Sequence, residues 1–311
     1  MSPVSSALIK VLYIAGAGRS GSTVLGNLLG QFDGFFACGE LYNIYRTPSD
    51  QRYCGCGKLL SECEIWDAIL RRALGDDYIS QTARVLRLRN TVARSRYALL
   101  WALPVSRPWM LRAAREYLAL TGRLYHSIAE VTGARVIVDS SKVSSYGQLL
   151  AQIPGIDLRV VFLVRDARAV AYSWRRKRPK PSPQGQTHIQ TASPLRAALS
   201  WIGHNLATEL ITGNARIPSL CIQYEQLVAS PKRVLEHIAQ FVHESVPPVD
   251  ITDNQIHMKV HHTVGGNPDR FRTGPVALVP DNEWQSKMRP LDRALVTLLT
   301  WPLLLRYGYR P

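Results

Sequence analysis

A glycine-rich turn near the start of the chain constrains the fold more than any other segment. The apolar run Ile9–Ala15 has the character of a buried β-strand, and Ser22–Gln31 has the pattern of a helix. Gly16, Gly18 and Gly21 lie between them. A glycine turn that joins a strand to a helix aims backbone N–H groups at one point, at the positive end of the helix dipole. The segment therefore predicts an α/β unit with an anion-binding turn.

The side chains of the turn leave three interpretations open. A Walker A phosphate loop needs a lysine after its second glycine, but Ser22 occupies that position. A dinucleotide-binding turn fits the G-x-G-x-x-G spacing, and Glu40 lies about where its ribose-binding acid is found. A phosphosulfate-binding loop would use the cation and the hydroxyl groups of Arg19–Thr23. The residues of the loop favour the third interpretation without excluding the other two.

Strands that alternate with helices recur along the rest of the chain. Apolar runs rich in Val, Ile and Leu are separated by helical patterns, which is typical of a central parallel sheet flanked by helices. The later strands are predicted at Gly34–Cys38, Arg135–Val138, Leu158–Val164 and Ser219–Gln223, and the helices at Ser145–Gln152, Ala167–Arg176, Leu195–Asn214 and Pro231–Val242. We therefore expect a single α/β domain over residues 1–311.

One long helical stretch interrupts this alternation. The stretch Ile65–Val131 is predicted to break near Gly75 and between Pro104 and Pro108. We expect about residues 70–130 to insert as a helical cap over an acceptor cleft. The aromatic side chains of this region have the spacing of core residues; they are Tyr97, Trp101, Trp109 and Tyr117. The basic, proline-containing segment Arg175–Pro183 is predicted either to close over a ligand or to be a solvated loop.

The formal net charge of +15 needs a partner or another explanation, because basic proteins often bind nucleic acid, membrane surfaces or acidic ligands. The cations are dispersed, and no zinc-finger, RNA-recognition or basic-zipper pattern accompanies them. A small polyanionic ligand therefore explains the charge better than nucleic acid does. No stretch is long and apolar enough to span a bilayer, and the N-terminus lacks a signal-peptide pattern. We expect no nucleic-acid partner, no stable membrane insertion and a cytoplasmic location.

Three of the five cysteines, Cys54, Cys56 and Cys63, are close together in the sequence. A structural zinc site normally has four ligands, and no histidine lies near these three cysteines along the chain. The spacing therefore favours a cluster of thiols, or one disulfide that closes the loop from Cys54 to Cys63, over a metal site. We predict no metal ion.

Polar side chains follow each predicted strand. Because the carboxyl ends of parallel strands share one edge of a sheet, these residues should meet at a single ligand site. They include two arginines, one lysine, five hydroxyl side chains and a glutamate: Arg19, Ser20, Ser22, Thr23, Glu40, Ser140, Ser141, Lys142 and Arg165. Ser173 lies two turns into the helix after Arg165, and Tyr224 follows the fifth strand. Each alone could be a helix cap or surface pair, but together they predict an anion-binding edge.

These segments resemble the sulfotransferases that use 3′-phosphoadenosine 5′-phosphosulfate (PAPS). Gly18–Thr23 is similar to the 5′-phosphosulfate loop of the carbohydrate and tyrosylprotein branch. Val164–Ser173 resembles the 3′-phosphate segment, in which an arginine and a serine eight positions later hold the phosphate. Cys38–Glu40 resembles the segment with the catalytic glutamate of the tyrosylprotein branch, and residues 262–272 resemble the tail of bacterial members. The small-molecule branch instead has a lysine in the loop and a catalytic histidine.

The resemblance implies a P-loop-like α/β fold and transfer of a sulfuryl group from PAPS to an acceptor hydroxyl, which leaves 3′,5′-adenosine bisphosphate (PAP). It implies donor binding by Arg19, Ser20, Gly21, Ser22, Thr23, Arg165, Ser173 and Tyr224, with Asn267, Arg270 or Arg272 closing over the 3′-phosphate. It implies no metal ion. The acceptor class stays open between a small molecule, a sugar and a peptide. The alternative is a P-loop nucleotide kinase or another nucleotide-binding protein.

Sulfuryl transfer by in-line displacement needs little covalent chemistry from the protein, so positioning and charge stabilisation should carry it. We predict that Glu40 is the general base for the acceptor hydroxyl. Arg19 and Lys142 should neutralise charge that grows on the sulfuryl and bridging oxygens. The alternative for Glu40 is to pair with a nearby arginine and orient it.

Overall fold

Five parallel strands form the centre of the computed structural model, which describes residues 8–45, 53–176, 179–182, 185–188, 191–214, 216–245, 251–252 and 255–310. Numbered along the chain, the strands are β1 (Ile9–Ala15), β2 (Phe35–Gly39), β3 (Val136–Asp139), β4 (Ile156–Val164) and β7 (Ser219–Gln223). Their order in the sheet is β2-β3-β1-β4-β7, and every neighbouring pair is parallel. The predicted central parallel sheet is confirmed, with ends that differ from the prediction by no more than two residues.

The side chains of β1 explain why helices cover both faces of the sheet. Val11 and Tyr13 pack into the core on one face, while Leu12 and Ile14 pack into the core on the other. All four are almost fully buried. Successive residues of a strand point to opposite faces, so a continuous apolar run requires cover on both sides.

Helices supply that cover. On the first face, α5 (Arg107–Thr132) and α6 (Ser144–Leu150) contact β1, and on the second α1 (Ser22–Leu29) contacts β1, β2 and β3. The remaining helices are α2 (Glu64–Leu74), α3 (Tyr78–Val92), α4 (Ala98–Ala102), α7 (Ala167–Arg175), α8 (Pro194–Thr212), α9 (Tyr224–Ala229), α10 (Pro231–Phe241), α11 (Glu283–Lys287) and α12 (Pro290–Arg306). The predicted helices are therefore present, and α9, α11 and α12 are additions to them.

The predicted helical region between β2 and β3 consists of α2 to α5, and it breaks at the two predicted places. Gly75 ends α2, and the other predicted break separates α4 from α5; a further break at residues 93–97, which the sequence did not predict, separates α3 from α4. Trp101 and Tyr117 are buried as expected, and Tyr97 is half-buried. The prediction of a core position is wrong for Trp109, whose side chain is 64% exposed on the first turn of α5. A spacing rule cannot tell which turn of a helix extends beyond its neighbours.

Short strands complete the described structure. β5 (Pro179–Ser182) pairs with β6 (Gly185–His188), and β8 (Ile251–Thr252), β9 (Gln255–Met258) and β10 (Gly274–Ala277) form an antiparallel sheet. The segment 175–183, predicted to close over a ligand or to be a solvated loop, lies partly outside the described residues. Its described residues include β5. Among the helices that the structure describes, none has both the length and the apolar character needed to cross a membrane.

Candidate active site

The turn between β1 and α1 has the backbone shape of an anion-binding loop. Gly21 precedes α1 with φ +90°, and Arg19 has φ +68°, a left-handed value that is uncommon for a residue with a side chain. A β-carbon on Gly21 would lie 2.3 Å from the ring of Tyr224. Only glycine fits there, so the turn lies directly against the residue that follows β7. Strained residues of this kind cluster at binding loops.

A cleft of about 1130 Å³ opens at the carboxyl edge of the sheet. It is lined by most of the residues that the sequence predicts for the site: Arg19, Gly21, Ser22, Thr23, Glu40, Lys142, Arg165, Ser173, Tyr224, Asn267 and Arg272. The strand ends thus bring together side chains that are as much as 250 residues apart in the sequence, as the parallel-sheet argument predicts.

Arg165 links the two predicted nucleotide-binding segments. Its side chain is only 6% exposed, and its Nη1 donates a hydrogen bond to the backbone oxygen of Arg19 at 3.0 Å. The guanidinium also lies 4.4 Å above the ring of Tyr224. The segment after β4 therefore touches both the loop after β1 and the residue after β7.

The start of α7 holds this arrangement in place. The Oδ1 atom of Asp166 accepts a hydrogen bond from the backbone N–H of Arg168 at 2.8 Å, so Asp166 is the N-cap of the helix. Trp201 Nε1 donates to the backbone oxygen of Arg165 at 2.9 Å. Ser173, two turns into α7, is buried and lines the same cleft. The helix thus presents Arg165 and Ser173 to one ligand position.

Acidic residues that the sequence analysis did not include also reach the cleft. Asp281 Oδ2 lies 3.1 Å from Arg165 Nη2 and 2.8 Å from Arg176 Nη2. Glu283 accepts a second hydrogen bond from Arg176 at 2.9 Å. An anionic ligand at Arg165 therefore has to compete with Asp281. Nothing in the sequence near residue 281 signals this pairing, which depends on the path of the chain after β10.

Trp174 is a second residue of the cleft that sequence reasoning missed. The guanidinium of Arg19 lies 4.7 Å from the centre of the Trp174 ring. An arginine on an indole face gains a cation–π contact. The sequence feature that could have identified Trp174 was its position directly after Ser173, at the end of the predicted 3′-phosphate segment.

Glu40 pairs with Lys142, not with an arginine. Lys142 Nζ donates to Glu40 Oε1 at 2.8 Å, and Asn43 Nδ2 donates to Glu40 Oε2 at 2.8 Å. Burial raises the pKa of Glu40, but the charge and hydrogen bond of Lys142, with help from Asn43 and Arg270, outweigh it, so its pKa is lowered. The carboxylate is therefore ionised at neutral pH.

The segment after β3 is built around a buried acid. Asp139 is fully buried and accepts hydrogen bonds from Tyr125 Oη at 2.5 Å and from the backbone N–H of Ser141 at 2.8 Å. Burial raises the pKa of Asp139 to about 6, despite these hydrogen bonds and the charge of Lys142. Lys142 follows with φ +64°, and its Nζ also donates to the backbone oxygen of Ser140 at 2.8 Å. This turn directs Lys142 toward Glu40.

Two predicted residues, Ser20 and Arg270, do not line the cleft. Ser20 is buried behind the cleft, and its Oγ has no hydrogen-bond partner among the described residues. Arg270 does not line the cleft, because its guanidinium donates to the backbone oxygens of Gly265 at 2.6 Å and Tyr53 at 2.9 Å. Arg272 does line it, but is paired with Asp269 at 3.2 Å. That Asn267, Arg270 or Arg272 closes over a 3′-phosphate stays a prediction.

Of the two predicted alternatives for these cysteines, a cluster of thiols or one disulfide, the structure has the thiols: all five cysteines, which lie in described segments, are free. The sulfur atoms of Cys54 and Cys63 are 3.6 Å apart, whereas a disulfide requires about 2.0 Å. No histidine is near these cysteines along the chain, but the fold brings one to them. The side chain of His262 lies beside both sulfur atoms.

Comparison with known proteins decides the family. The sequence profile of the Sulfotransferase family matches residues 12–248, about three quarters of the chain. The chain belongs to the sulfotransferase family. The match includes the turn after β1, Glu40, Lys142, and the Arg165–Ser173 segment. Comparison with curated protein sequences finds no match.

Solved structures show the same fold at low sequence identity. The sulfotransferase domain from the curacin biosynthetic pathway is 15% identical with a TM-score of 0.52, over 98% of this chain and 100% of that one. The sulfotransferase domain of the Synechococcus PCC 7002 olefin synthase is 19% identical, with a TM-score of 0.48 over 96% of each chain. Sulfotransferase STF9 from Mycobacterium avium is 14% identical, with a TM-score of 0.43 over 98% of this chain and 78% of that one. The first of these supports the α/β fold and no finer property.

The family assignment favours sulfuryl transfer over phosphoryl transfer by a kinase. None of the residues that line the cleft comes from residues 70–130. The predicted cap over the acceptor therefore does not form a wall of the cleft. Arg89 of this region donates a hydrogen bond from its Nη1 to the backbone oxygen of Tyr42 at 2.7 Å, two residues after Glu40.

Proposed function

We propose that this sulfotransferase transfers a sulfuryl group from PAPS to an acceptor hydroxyl. The observation that supports the proposal most directly is the 3.0 Å hydrogen bond from Arg165 to the backbone of Arg19. It joins the segment that resembles a 3′-phosphate site to the loop that resembles a 5′-phosphosulfate site, in one cleft. A ligand with phosphate groups at both ends of an adenosine suits this arrangement.

Unpartnered polar atoms are consistent with such a ligand. Ser20 Oγ and Arg165 Nε are buried and have no hydrogen-bond partner among the described residues. Buried polar atoms without partners carry a free-energy cost of about 1–3 kcal/mol, which a bound anion can relieve. The cleft also offers the hydroxyl groups of Ser22, Thr23 and Ser173. Cations, hydroxyls and a helix N-terminus form the donor set expected for a phosphosulfate and a phosphate.

The catalytic roles follow from the Glu40–Lys142 pair. PAPS, when bound, supplies an activated sulfuryl group with PAP as leaving group. Glu40 is placed to accept the proton of an acceptor hydroxyl, and its lowered pKa keeps it ionised and ready to do so. Lys142, 2.8 Å from Glu40, is placed to stabilise negative charge on the sulfuryl and bridging oxygens, as is Arg19 across the cleft.

Nucleotide titration of the full chain tests the proposal. PAP should bind at least about tenfold more tightly than AMP, because each charge-assisted hydrogen bond to the 3′-phosphate contributes roughly 1.5–3 kcal/mol. Arg165→Met and Ser173→Ala should each reduce the preference for PAP. Arg72→Ala, on the exposed side of α2 where Arg72 pairs with Glu130, is the matched control and should leave the preference unchanged. Isothermal titration calorimetry measures the affinities for PAP and AMP of the unmodified chain and of the three variants.

Other outcomes would contradict the proposal. A preference for ATP with Mg²⁺ would indicate a P-loop nucleotide kinase. Equal binding of PAP and AMP would indicate a nucleotide-binding protein without a 3′-phosphate site. Once PAP binding is established, a screen of small-molecule, sugar and peptide hydroxyls with radiolabelled PAPS identifies the acceptor class. A cytoplasmic location stays a prediction.

A further inference from the structure

Three thiols and one imidazole converge at a point outside the cleft. The ligand atoms of Cys54, Cys56, Cys63 and His262 all lie within 4.8 Å of one another. Cys54 Sγ is 3.6 Å from Cys63 Sγ and 3.6 Å from His262 Nδ1. Cys63 Sγ is 3.2 Å from the same nitrogen. His262 comes from a segment that follows Cys63 by 199 residues, so the convergence is made by the fold.

These separations fit a tetrahedral metal site. Zinc lies about 2.3 Å from a thiolate sulfur and about 2.0–2.1 Å from an imidazole nitrogen. Tetrahedral angles then place two sulfur atoms about 3.8 Å apart, and a sulfur and a nitrogen about 3.6 Å apart. The Cys54–Cys63 distance of 3.6 Å and the Cys54–His262 distance of 3.6 Å are close to these values. The Cys63–His262 distance of 3.2 Å is shorter, and no two ligand atoms are more than 4.8 Å apart. A disulfide would need the two sulfur atoms to be about 2.0 Å apart. It would also not explain why Cys56 and His262 lie beside them.

The backbone around the cysteines holds them in place for a shared ligand. Cys54 N donates to the backbone oxygen of Lys58 at 2.8 Å, and Gly57 N donates to the backbone oxygen of Cys54 at 2.9 Å, which folds the Cys54–Lys58 segment into a tight turn. Gly55 N donates to the oxygen of Thr263 at 2.9 Å. A β-carbon on Gly55 would lie 2.3 Å from the oxygen of His261, so only glycine permits this approach.

We propose that Cys54, Cys56, Cys63 and His262 bind one structural Zn²⁺ ion. On binding, the three thiols release their protons to solvent, and each sulfur and the Nδ1 lone pair of His262 forms one bond to the metal. Four protein ligands fill a tetrahedral shell and leave no position for water or substrate, which is the pattern of a structural site. Thiolate and imidazole ligands exclude Mg²⁺ and Ca²⁺, which bind oxygen.

The surroundings suit the charge of this site. Zn²⁺ with three thiolates and a neutral imidazole carries one negative charge. The guanidinium of Arg270, which donates to the backbone oxygen of Tyr53 at 2.9 Å, interacts electrostatically with Cys54 and with Glu40. This gives Arg270 a place between the metal site and the cleft, in agreement with its absence from the cleft wall.

The metal would tie the loop at 53–63 to the segment that positions Glu40. Cys54 forms a β-bridge with Val264, two residues after His262. Val264 N donates to the backbone oxygen of Cys38 at 2.8 Å, and its oxygen accepts from Glu40 N at 2.5 Å. Trp66 Nε1 adds a hydrogen bond to the backbone oxygen of His262 at 2.7 Å. The zinc site is thus a positioning element for the end of β2.

Metal analysis of the full chain tests this proposal without any assay of sulfuryl transfer, so its failure is separate from failure of the proposed function. The chain, purified under reducing conditions with zinc supplied, should contain about one zinc ion per molecule. Cys63→Ser and His262→Ala should lower the zinc content at least about tenfold. Cys221→Ser removes an exposed thiol outside the cluster and should keep a full complement of zinc.

Cobalt substitution keeps the test decisive if the variants do not fold. Removal of zinc by a chelator and addition of Co²⁺ to the unmodified chain should produce thiolate-to-cobalt charge-transfer bands and the intense visible bands of tetrahedral Co²⁺. Zinc should also raise the melting temperature of the chelated protein. A folded chain with no zinc and no tetrahedral cobalt spectrum, or with a Cys54–Cys63 disulfide found by mass spectrometry, would overturn the proposal.

Discussion

The ion pair between Glu40 and Lys142 sets the chemistry of the site at the level of single residues. A free glutamate near a lysine loses basicity because the cation stabilises its ionised form. Here that effect exceeds the opposing effect of burial, so the pKa of Glu40 is lowered. If Glu40 is the base, as proposed, its strength must come from its position rather than from a raised pKa.

Glu40→Gln tests the assignment of the base. The amide keeps the shape and a hydrogen bond to Asn43 or Lys142, but it cannot accept the acceptor proton, so turnover should fall by roughly 10²–10⁴. PAP affinity, measured by calorimetry, should change less than about twofold because Glu40 does not contact the predicted phosphate sites. Glu236→Gln on the exposed face of α10 is the control. Near-normal turnover of the Glu40 variant would leave it only an orienting role.

Asp139 gives the fold a pH dependence of its own. Its pKa is about 6 in the folded chain against an ordinary value of 3.8, so between these values the folded state holds a proton that the unfolded state has lost. The free energy of unfolding therefore decreases as pH rises through this interval. A pKa shift of this size in one buried group changes the free energy of unfolding by up to about 3 kcal/mol over this pH interval.

Asp139→Asn should remove that dependence. The variant carries no ionisable group at this position, so its stability relative to the unmodified chain should improve by up to about 3 kcal/mol between pH 4 and pH 7. Urea unfolding at several pH values measures the difference. Asp33→Asn, at an exposed position, should give a curve parallel to that of the unmodified chain. A parallel curve for the Asp139 variant as well would contradict the assignment.

At the scale of elements, the β1–α1 unit is the part of the fold that the sequence describes best. The apolar run, the glycines and the helix are adjacent in the sequence, so local preferences determine their structure. Gly21 shows how tightly this unit fits its neighbours, because its φ of +90° and its contact with Tyr224 both exclude a side chain.

Gly21→Ala should therefore disrupt nucleotide binding. The added β-carbon meets the Tyr224 ring at 2.3 Å, and the backbone conformation alone costs about 1–3 kcal/mol for alanine, so PAP affinity should fall at least about tenfold. Gly203→Ala is the matched control, since a β-carbon there has no atom within 4 Å. That helical substitution should leave PAP affinity unchanged and raise stability by up to about 1 kcal/mol. Unchanged PAP affinity of the Gly21 variant would contradict the model of the loop.

For elements that lack such local constraints the sequence says less. The breaks of the helical region at Gly75 and before α5 were predictable, because glycine and proline act locally. The direction in which α3 and α5 pack was not, since it depends on partners far away in the sequence. For the same reason the exposure of Trp109 and the absence of this region from the cleft wall emerged only from the structure.

At the scale of the whole molecule, the formal charge of +15 should attract the polyanionic donor. Salt screens such attraction, because the Debye length falls from about 30 Å at 0.01 M to about 8 Å at 0.15 M. PAP affinity should therefore decrease roughly tenfold when salt rises from about 0.05 to about 0.5 M. Adenosine, which has no phosphate, is the control, and its affinity should not change with salt concentration. PAP binding that does not respond to salt would rule out this role for the net charge.

The sequence by itself determined which residues follow the strands, and from this the composition of the cleft. A parallel sheet brings all its carboxyl ends to one edge, so Arg19, Glu40, Lys142 and Arg165 could be grouped without knowing the packing of any helix. Only the tertiary structure decided what meets these residues from outside the sheet. It placed Asp281 on Arg165, and the segment of His262 beside three cysteines. Such contacts join segments that are far apart in the sequence, and no local pattern encodes where the chain returns.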